Sequence, residues 1–233
     1  MRVTLATSPG TPGWPNEDYA AVSPGAAVLL DGATTFPPGG DTGCAHGVAW
    51  YARTLGTTLL AAITAPPHRS LAAALATAIS DVRDLHQHTC DLTHPSTPAA
   101  TVTAVRAGPD GISYLALSDS TIAARYRDGR PPLVISDDHP AASATPGAAH
   151  RAATGLLPRH DLDGIALLSD GAARITDRYQ LLDWPDLLAL ARDYGPGELL
   201  RQVRAAEQAD PDGTRWPRRK ASDDATIIYW HKD

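Results

Sequence analysis

The stretch Ile165-Ala166-Leu167-Leu168-Ser169-Asp170-Gly171-Ala172-Ala173-Arg174-Ile175 changes from apolar to charged at its middle. Four apolar residues closed by turn formers read as a short buried strand, and a helix-like segment follows. A carboxylate at the end of a core strand is costly unless something there needs a negative charge. The same arrangement recurs along the chain. Asp31-Gly32 follow Ala27-Val28-Leu29-Leu30, and Asp119 follows Tyr114 to Ser118. Asp223-Asp224 precede Ala225 to Trp230, and Glu17-Asp18 precede Tyr19 to Val22. If those strands share a sheet end, the carboxylates converge, repel one another and raise each other's pKa. A divalent cation relieves that repulsion. Oxygen-only donors without His or Cys suit Mg²⁺ or Mn²⁺ rather than Zn²⁺. Two such ions about 3.5–4 Å apart, sharing a carboxylate, can activate water against a phosphate ester. Each Asp taken singly also reads as a turn or cap residue; the ordered set is what points to metal.

The rest of the chain sets the frame. Its 233 residues carry a net charge of -6 and 43% hydrophobic side chains. That length suits one domain, 1–233, with a real core, or at most two small ones. A mildly acidic chain without a basic cluster argues against a nucleic-acid partner, and Arg215 to Lys220 reads as a solvated loop. No apolar run approaches the ~20 residues of a membrane span. The opening MRVTLATSPG lacks the apolar centre of a signal peptide. The expectation is therefore a cytoplasmic, monomeric protein with no membrane partner. Cys44 and Cys90 fall in helix-like segments without metal-type spacing and read as buried free thiols rather than a disulfide.

Strands are expected at Val3–Ala6, Asp18–Val22 and Ala26–Leu30, then a Gly/Pro-rich loop from Phe36 to Gly43. Two helices follow, Cys44–Ile63 and Leu71–Leu92, the second capped by Ser70. Ala100–Arg106, Gly111–Leu117 and Ile122–Arg127 read as strands with PDG and RDG turns, which imply antiparallel pairing. Leu133–Ile135 is a further short strand. Residues 136–160 have weak periodicity and read as an irregular, flap-like insertion. Strand Ile165–Leu168, helices near Leu181–Asp193 and Glu198–Gln208, and strand Ala225–Trp230 complete the chain. Helix pairs between hairpin-connected strands favour an α+β fold: a four-layer α-β-β-α sandwich of two antiparallel sheets.

The ordered motifs Asn16-Glu17-Asp18, Asp31-Gly32, Ala100-Thr101-Val102-Thr103, Ser118-Asp119-Ser120, Ser169-Asp170-Gly171 and Asp223-Asp224-Ala225-Thr226 resemble those of the metal-dependent, type 2C serine/threonine protein phosphatases of bacterial type. The resemblance implies the same sandwich fold and a Mn²⁺ or Mg²⁺ centre of two metals with a weaker third position. It implies that Asp31 bridges two ions and that the Gly32 carbonyl holds the second. It assigns Asp170 and Asp223 to the first ion, Glu17 or Asp18 to the second directly or through water, and Asp119 with Asp170 to a weaker third. Metal-bound water would then hydrolyse a phosphoserine or phosphothreonine in a protein.

Departures are also legible. The family's phosphate-gripping arginine, three residues before the NED motif, is Gly13 here, beside Trp14. Arg151, Arg53 and Arg174 are candidate substitutes. Asp224 adds a negative charge next to Asp223. His46, just after the Gly-rich loop, is a candidate general acid, whereas His86, His88 and His94 read as solvated. Two alternatives accompany the protein-phosphatase expectation: the same site acting on a small phosphorylated metabolite, and a non-catalytic binding member. Specificity is expected in the Phe36–Gly43 loop and in residues 136–160.

Overall fold

Ten strands form two five-stranded sheets, and every strand pair is antiparallel. The structure is a computed structural model and describes residues 2–33, 40–66 and 69–231. The first sheet has the order β1 (Arg2–Ser8), β10 (Ala225–His231), β9 (Leu162–Leu168), β6 (Thr121–Tyr126), β7 (Leu133–Ile135). The second has the order β2 (Tyr19–Ser23), β3 (Ala26–Ala33), β4 (Ala99–Ala107), β5 (Ile112–Leu117), β8 (Ala153–Leu157). Helices α1 (Val48–Thr64) and α2 (Leu71–His86) cover the second sheet, and α3 (Asp170–Asp177), α4 (Trp184–Asp193) and α5 (Pro196–Ala209) cover the first.

Strand alternation explains the layering. Val28 and Leu30 of β3 face α1 and α2 together with Val102, Ala104, Leu115 and Leu117. Ala27 and Leu29 point the other way and meet Ile122, Ile165, Leu167, Ile228 and Trp230 across the gap between the sheets. Segments buried on both faces read as continuous apolar runs, as Ala26 to Leu30 and Ile165 to Leu168 do. Each buried Leu or Ile in that gap contributes about 1.5–3 kcal/mol. The helix ends follow their local signals: Ser70 accepts from the Ala73 amide at 3.2 Å, and Asp183 accepts from the Asp186 amide at 2.8 Å.

Three expectations change. Asp31 and Gly32 belong to β3 rather than to a loop after it, because pairing with β4 continues through Asp31↔Thr101 and Gly32↔Ala100. Residues 136–160 do not form a wholly irregular insertion. They hold a 3-10 turn, Pro146–Arg151, whose Ala148 and Ala149 join the α1/α2 core, and the edge strand β8 paired to β5. One exposed face on β8 accounts for the weak hydrophobic signal.

The third correction concerns the cysteines, which are not free thiols. Cys44 and Cys90 form a disulfide with Cα atoms 4.0 Å apart. Neither lies in a helix: α1 starts at Val48 and α2 ends at His86. Gly43, at φ +66, interrupts any helix there. The Asp91 amide donates to the Gly43 carbonyl at 2.6 Å, so the two flanking loops run side by side and bring the thiols together.

Candidate metal centre

The gap between the sheets is apolar along most of its length and polar at one end. The strand period of two carries each inward-facing row into that end. On β3 the row Ala27, Leu29 continues to Asp31. On β4 Val105 is succeeded by Thr103 and Thr101, on β6 Ala124 and Ile122 by Ser120. On β9 Ile165 and Leu167 lead to Ser169, and on β10 Trp230 and Ile228 lead to Thr226 and Asp224. Hydroxyls link these rows. Thr101 Oγ1 and Ser120 Oγ lie 2.5 Å apart across the gap, the Thr226 amide donates to Ser169 Oγ at 2.9 Å, and Thr7 Oγ1 meets Thr226 Oγ1 at 2.7 Å.

The carboxylates gather at this polar end. Asp31 Oδ2 accepts from the Asp170 amide at 3.4 Å, and the Asp31 amide donates to Thr101 Oγ1 at 3.2 Å. Asp170 opens α3, where the helix N-terminus favours negative charge. Two glycines permit this closeness. A Cβ on Gly32 would sit 2.5 Å from Val48 Cγ1 and 2.8 Å from the Glu17 carbonyl oxygen. A Cβ on Gly171 would collide with the Asp224 carbonyl oxygen.

Burial and mutual repulsion dominate the electrostatics. Asp18 is buried, and burial pushes its carboxyl up to about 7 against the partial relief of nearby Thr226 and Ser169 hydroxyls, with Asp224 and Asp170 raising it further. Those hydroxyls come near without well-formed bonds: neither Asp18 oxygen has a hydrogen-bond partner. Burial, then Asp18, Asp170 and Asp223, hold the half-buried Asp31 well above the usual carboxylate range. Asp119, more exposed at the β5–β6 corner, is raised by partial desolvation and then by Asp170. Buried acids in this state lack positive charge.

Two side chains supply some. Arg174, one helical turn after Asp170, places Nη2 3.3 Å from Asp170 Oδ2 and 2.5 Å from Asp223 Oδ2. Lys220 Nζ lies 2.9 Å from Asp223 Oδ1. Among the described residues no group of three or more His, Cys, Asp or Glu side chains is already drawn to coordinating distance. The donor set nonetheless fits a hard divalent cation: oxygen-only ligands, two orphaned buried oxygens on Asp18, and a raised Asp31.

The structure brings Asp18, Asp31, Asp119, Asp170 and Asp223 within electrostatic reach of one or more of the others. Gly32 lies beside the Glu17 backbone. His46 is placed otherwise: its ring stacks on Trp50 at 4.0 Å and meets the buried His86 edge-on at 6.3 Å. Arg53 and Arg151 are exposed. Residues 36–39 of the expected specificity loop lie outside the described residues.

Sequence reasoning missed three roles. The two oxygens of Asp224 accept from the Gly10 and Glu17 amides at 2.7 and 2.6 Å, fixing the loop that carries Glu17. Nothing in the sequence signals that bond. Arg204 donates to the Ser8 and Asp223 carbonyl oxygens, both at 2.8 Å, tying β1 and the Asp223 backbone to α5. Arg174 is an internal counter-ion rather than a solvated or substrate-facing arginine, a role foreshadowed by its i,i+4 spacing from Asp170.

Residues 8–207 match the family description Protein phosphatase 2C. The chain belongs to the protein phosphatase 2C family. Solved structures share its fold at low identity. A bacterial serine phosphatase bearing an arginine-to-alanine mutation superposes with a TM-score of 0.68 at 14% identity, covering 100% of this chain and 99% of that one. The PPM Ser-Thr phosphatase MsPP from Mycobacterium smegmatis, in complex with cacodylate, gives 0.67 at 17% identity with coverage of 100% and 99%. The catalytic domain of the serine threonine protein phosphatase PstP, in complex with two manganese ions, gives 0.64 at 15% identity with coverage of 99% and 97%. Among curated proteins none matches in sequence. The low identities mark this protein phosphatase 2C domain as a divergent member of its family. No helix among its described residues is long and apolar enough to cross a membrane.

Proposed function

We propose that the chain is a Mn²⁺- or Mg²⁺-dependent phosphatase that hydrolyses phosphoserine and phosphothreonine in proteins. The observation that carries this reading is the convergence of Asp18, Asp31, Asp170 and Asp223 at one end of the sandwich, with their charge only partly matched by Arg174 and Lys220. Family membership and the phosphatase titles of its structural relatives support it.

In this scheme Asp31, the Gly32 carbonyl, Glu17 or Asp18, Asp170 and Asp223 would hold the two cations. Asp119 with Asp170 would hold a third more weakly. When bound, the cations lower the pKa of a water and neutralise phosphate oxygens. The chain's own work is positional. Thr101 holds the Asp31 backbone, Asp224 holds the Glu17 loop, and Arg204 holds the Asp223 backbone. Arg174 and Lys220 keep Asp170 and Asp223 in place against mutual repulsion before cations arrive. His46 stands apart from this scheme, against Trp50; unchanged turnover in His46→Ala would remove it from the chemistry.

The test is phosphate release from p-nitrophenyl phosphate and from a phosphothreonine peptide, with Mn²⁺, Mg²⁺ or EDTA, for wild type and Asp170→Ala. Metal-dependent turnover that vanishes in the variant is the expected result. No turnover with either metal on either substrate overturns the reading.

A further inference from the structure

Two pockets flank the carboxylates. One, of about 530 Å³, is bordered by Asp119, Asp170, Arg174, Arg178, Arg215 and Trp216. Its arginines are engaged: Arg174 with Asp170 and Asp223, Arg178 with the Pro217 carbonyl at 2.5 Å, and Arg215 over the Trp216 ring at 4.3 Å. The other, of about 610 Å³, lies between the loop carrying Glu17 and the segment Lys220–Asp224. Its walls are Pro12, Trp14, Pro15 and Ala221, and Glu17 and Asp223 connect it directly to the carboxylate centre.

Several features mark this second pocket as built for a ligand. Trp14 is 66% exposed, an arrangement that contributes nothing to the core. It nevertheless stands on a fixed loop. Asp224 grips the loop's two ends through the Gly10 and Glu17 amides, and the Trp14 amide closes a turn onto the Thr11 carbonyl at 3.2 Å. Gly13, at φ +84, makes that turn possible. A rigid exposed aromatic ring beside a reaction centre gives contact area at small entropic cost. Lys220 is the cation of the pocket's lining, its Nζ 2.9 Å from Asp223 Oδ1. Its ammonium has three donors, and Asp223 is the partner of one.

We propose that this pocket is the substrate-recognition site for an apolar side chain flanking the phosphorylated residue, with Trp14 as its wall and Lys220 as a phosphate-binding group. The inference rests on the phosphatase reading above and deepens it from phosphoprotein to a sequence class. Charge and shape both agree with that occupant. With the proposed cations bound, phosphate oxygens would be drawn toward Lys220 and the centre, while the neighbouring residue would lie on Trp14, Pro12 and Pro15.

The experiment uses two labelled peptides carrying a nonhydrolysable phosphonate analogue of phosphothreonine, identical except for Leu or Asp beside it. Their binding to the Mn²⁺-loaded protein is read by fluorescence anisotropy, for wild type, Trp14→Ala, Trp14→Phe and Lys220→Met. The Leu peptide is expected to bind about tenfold more tightly than the Asp peptide. Trp14→Ala abolishes that ratio and Trp14→Phe keeps most of it, with unchanged melting temperatures. Lys220→Met weakens both phosphonate peptides alike and leaves an unmodified threonine peptide unaffected. Equal affinities in wild type, or a ratio that survives in Trp14→Ala, overturns the proposal. So does tight binding of p-nitrophenyl phosphonate that depends on Trp14 while neither peptide binds, which would assign the pocket to a small aromatic ester. Turnover of matching phosphopeptides is measured separately. Its absence defeats the phosphatase reading, and the anisotropy ratio still decides the pocket.

Discussion

The gap between the two sheets has two ends built on the same strands with the same side-chain period. At one end Ala27, Val105, Ile112, Leu157, Ile165 and Trp230 fill the space. At the other the same rows arrive as Asp31, Thr101, Ser120, Ser169 and Thr226. The first end follows every rule of a stable core. The second breaks the rule against buried charge and surrounds the breach with hydroxyls, two glycines and two cations. The contrast teaches that stability and chemistry are divided along one layer, with the strained end supported by the apolar one.

The division can be broken at either end. The largest expected effect is at the polar end. Asp31→Asn should lower metal-dependent phosphate release by about a thousandfold. The same change should raise the melting temperature of the metal-free protein, because one of several repelling carboxylates is neutralised. Steady-state assays and thermal melts check both, and a fall in metal-free stability would contradict the contrast. At the apolar end, Leu29→Ala should cost about 2–5 kcal/mol, a fall of roughly 5–15 °C in a chain of this size. The metal concentration for half-maximal activity should not change.

Arg174→Met tests whether the cation belongs to the polar end. Its loss leaves Asp170 and Asp223 less compensated, costing about 2–3 kcal/mol in EDTA. Saturating Mn²⁺ should recover most of that. Equal losses with and without metal would show that Arg174 merely packs.

The smallest effect is a pH slope. Asp18 has its folded pKa raised from 3.8 to about 7. The folded state therefore holds the proton more tightly than the unfolded one. This contribution is complete below about pH 4 and is lost as the pH rises toward 7. In EDTA the melting temperature should decline across that window. Asp18→Asn should flatten the decline; an unchanged slope would detach Asp18 from it.

Much of this was legible in the sequence because two periodic signals were strong. Apolar runs bounded at one end by Asp located β3, β9 and β10, and Ser70 marked the start of α2. Acidic residues at strand boundaries then named the centre. What escaped reading depends on contacts between distant segments. The Cys44–Cys90 bond joins residues 46 apart and needs the loops beyond both helices to align. The strand β8 has one face in water, so half its hydrophobic signal is missing. Asp224 looked like surplus charge near the metals, since nothing local reveals that two backbone amides neutralise it. The Lys220 role lies in a segment that composition alone reads as a solvated loop.

Arg204 has one more consequence. It reaches from α5 to Ser8 near one end of the chain and to the Asp223 backbone near the other. The carboxylates themselves come from positions 18, 31, 119, 170 and 223, so their contact order is about as high as the chain allows. During synthesis the segments arrive over most of the translation time, and the last strand, β10, comes after every other part of the sheet. A partly made chain can assemble α1, α2 and the second sheet, yet it has no Asp223 to complete the centre. On the proposed metal reading, tight cation binding would therefore require the completed topology and would report finished folding.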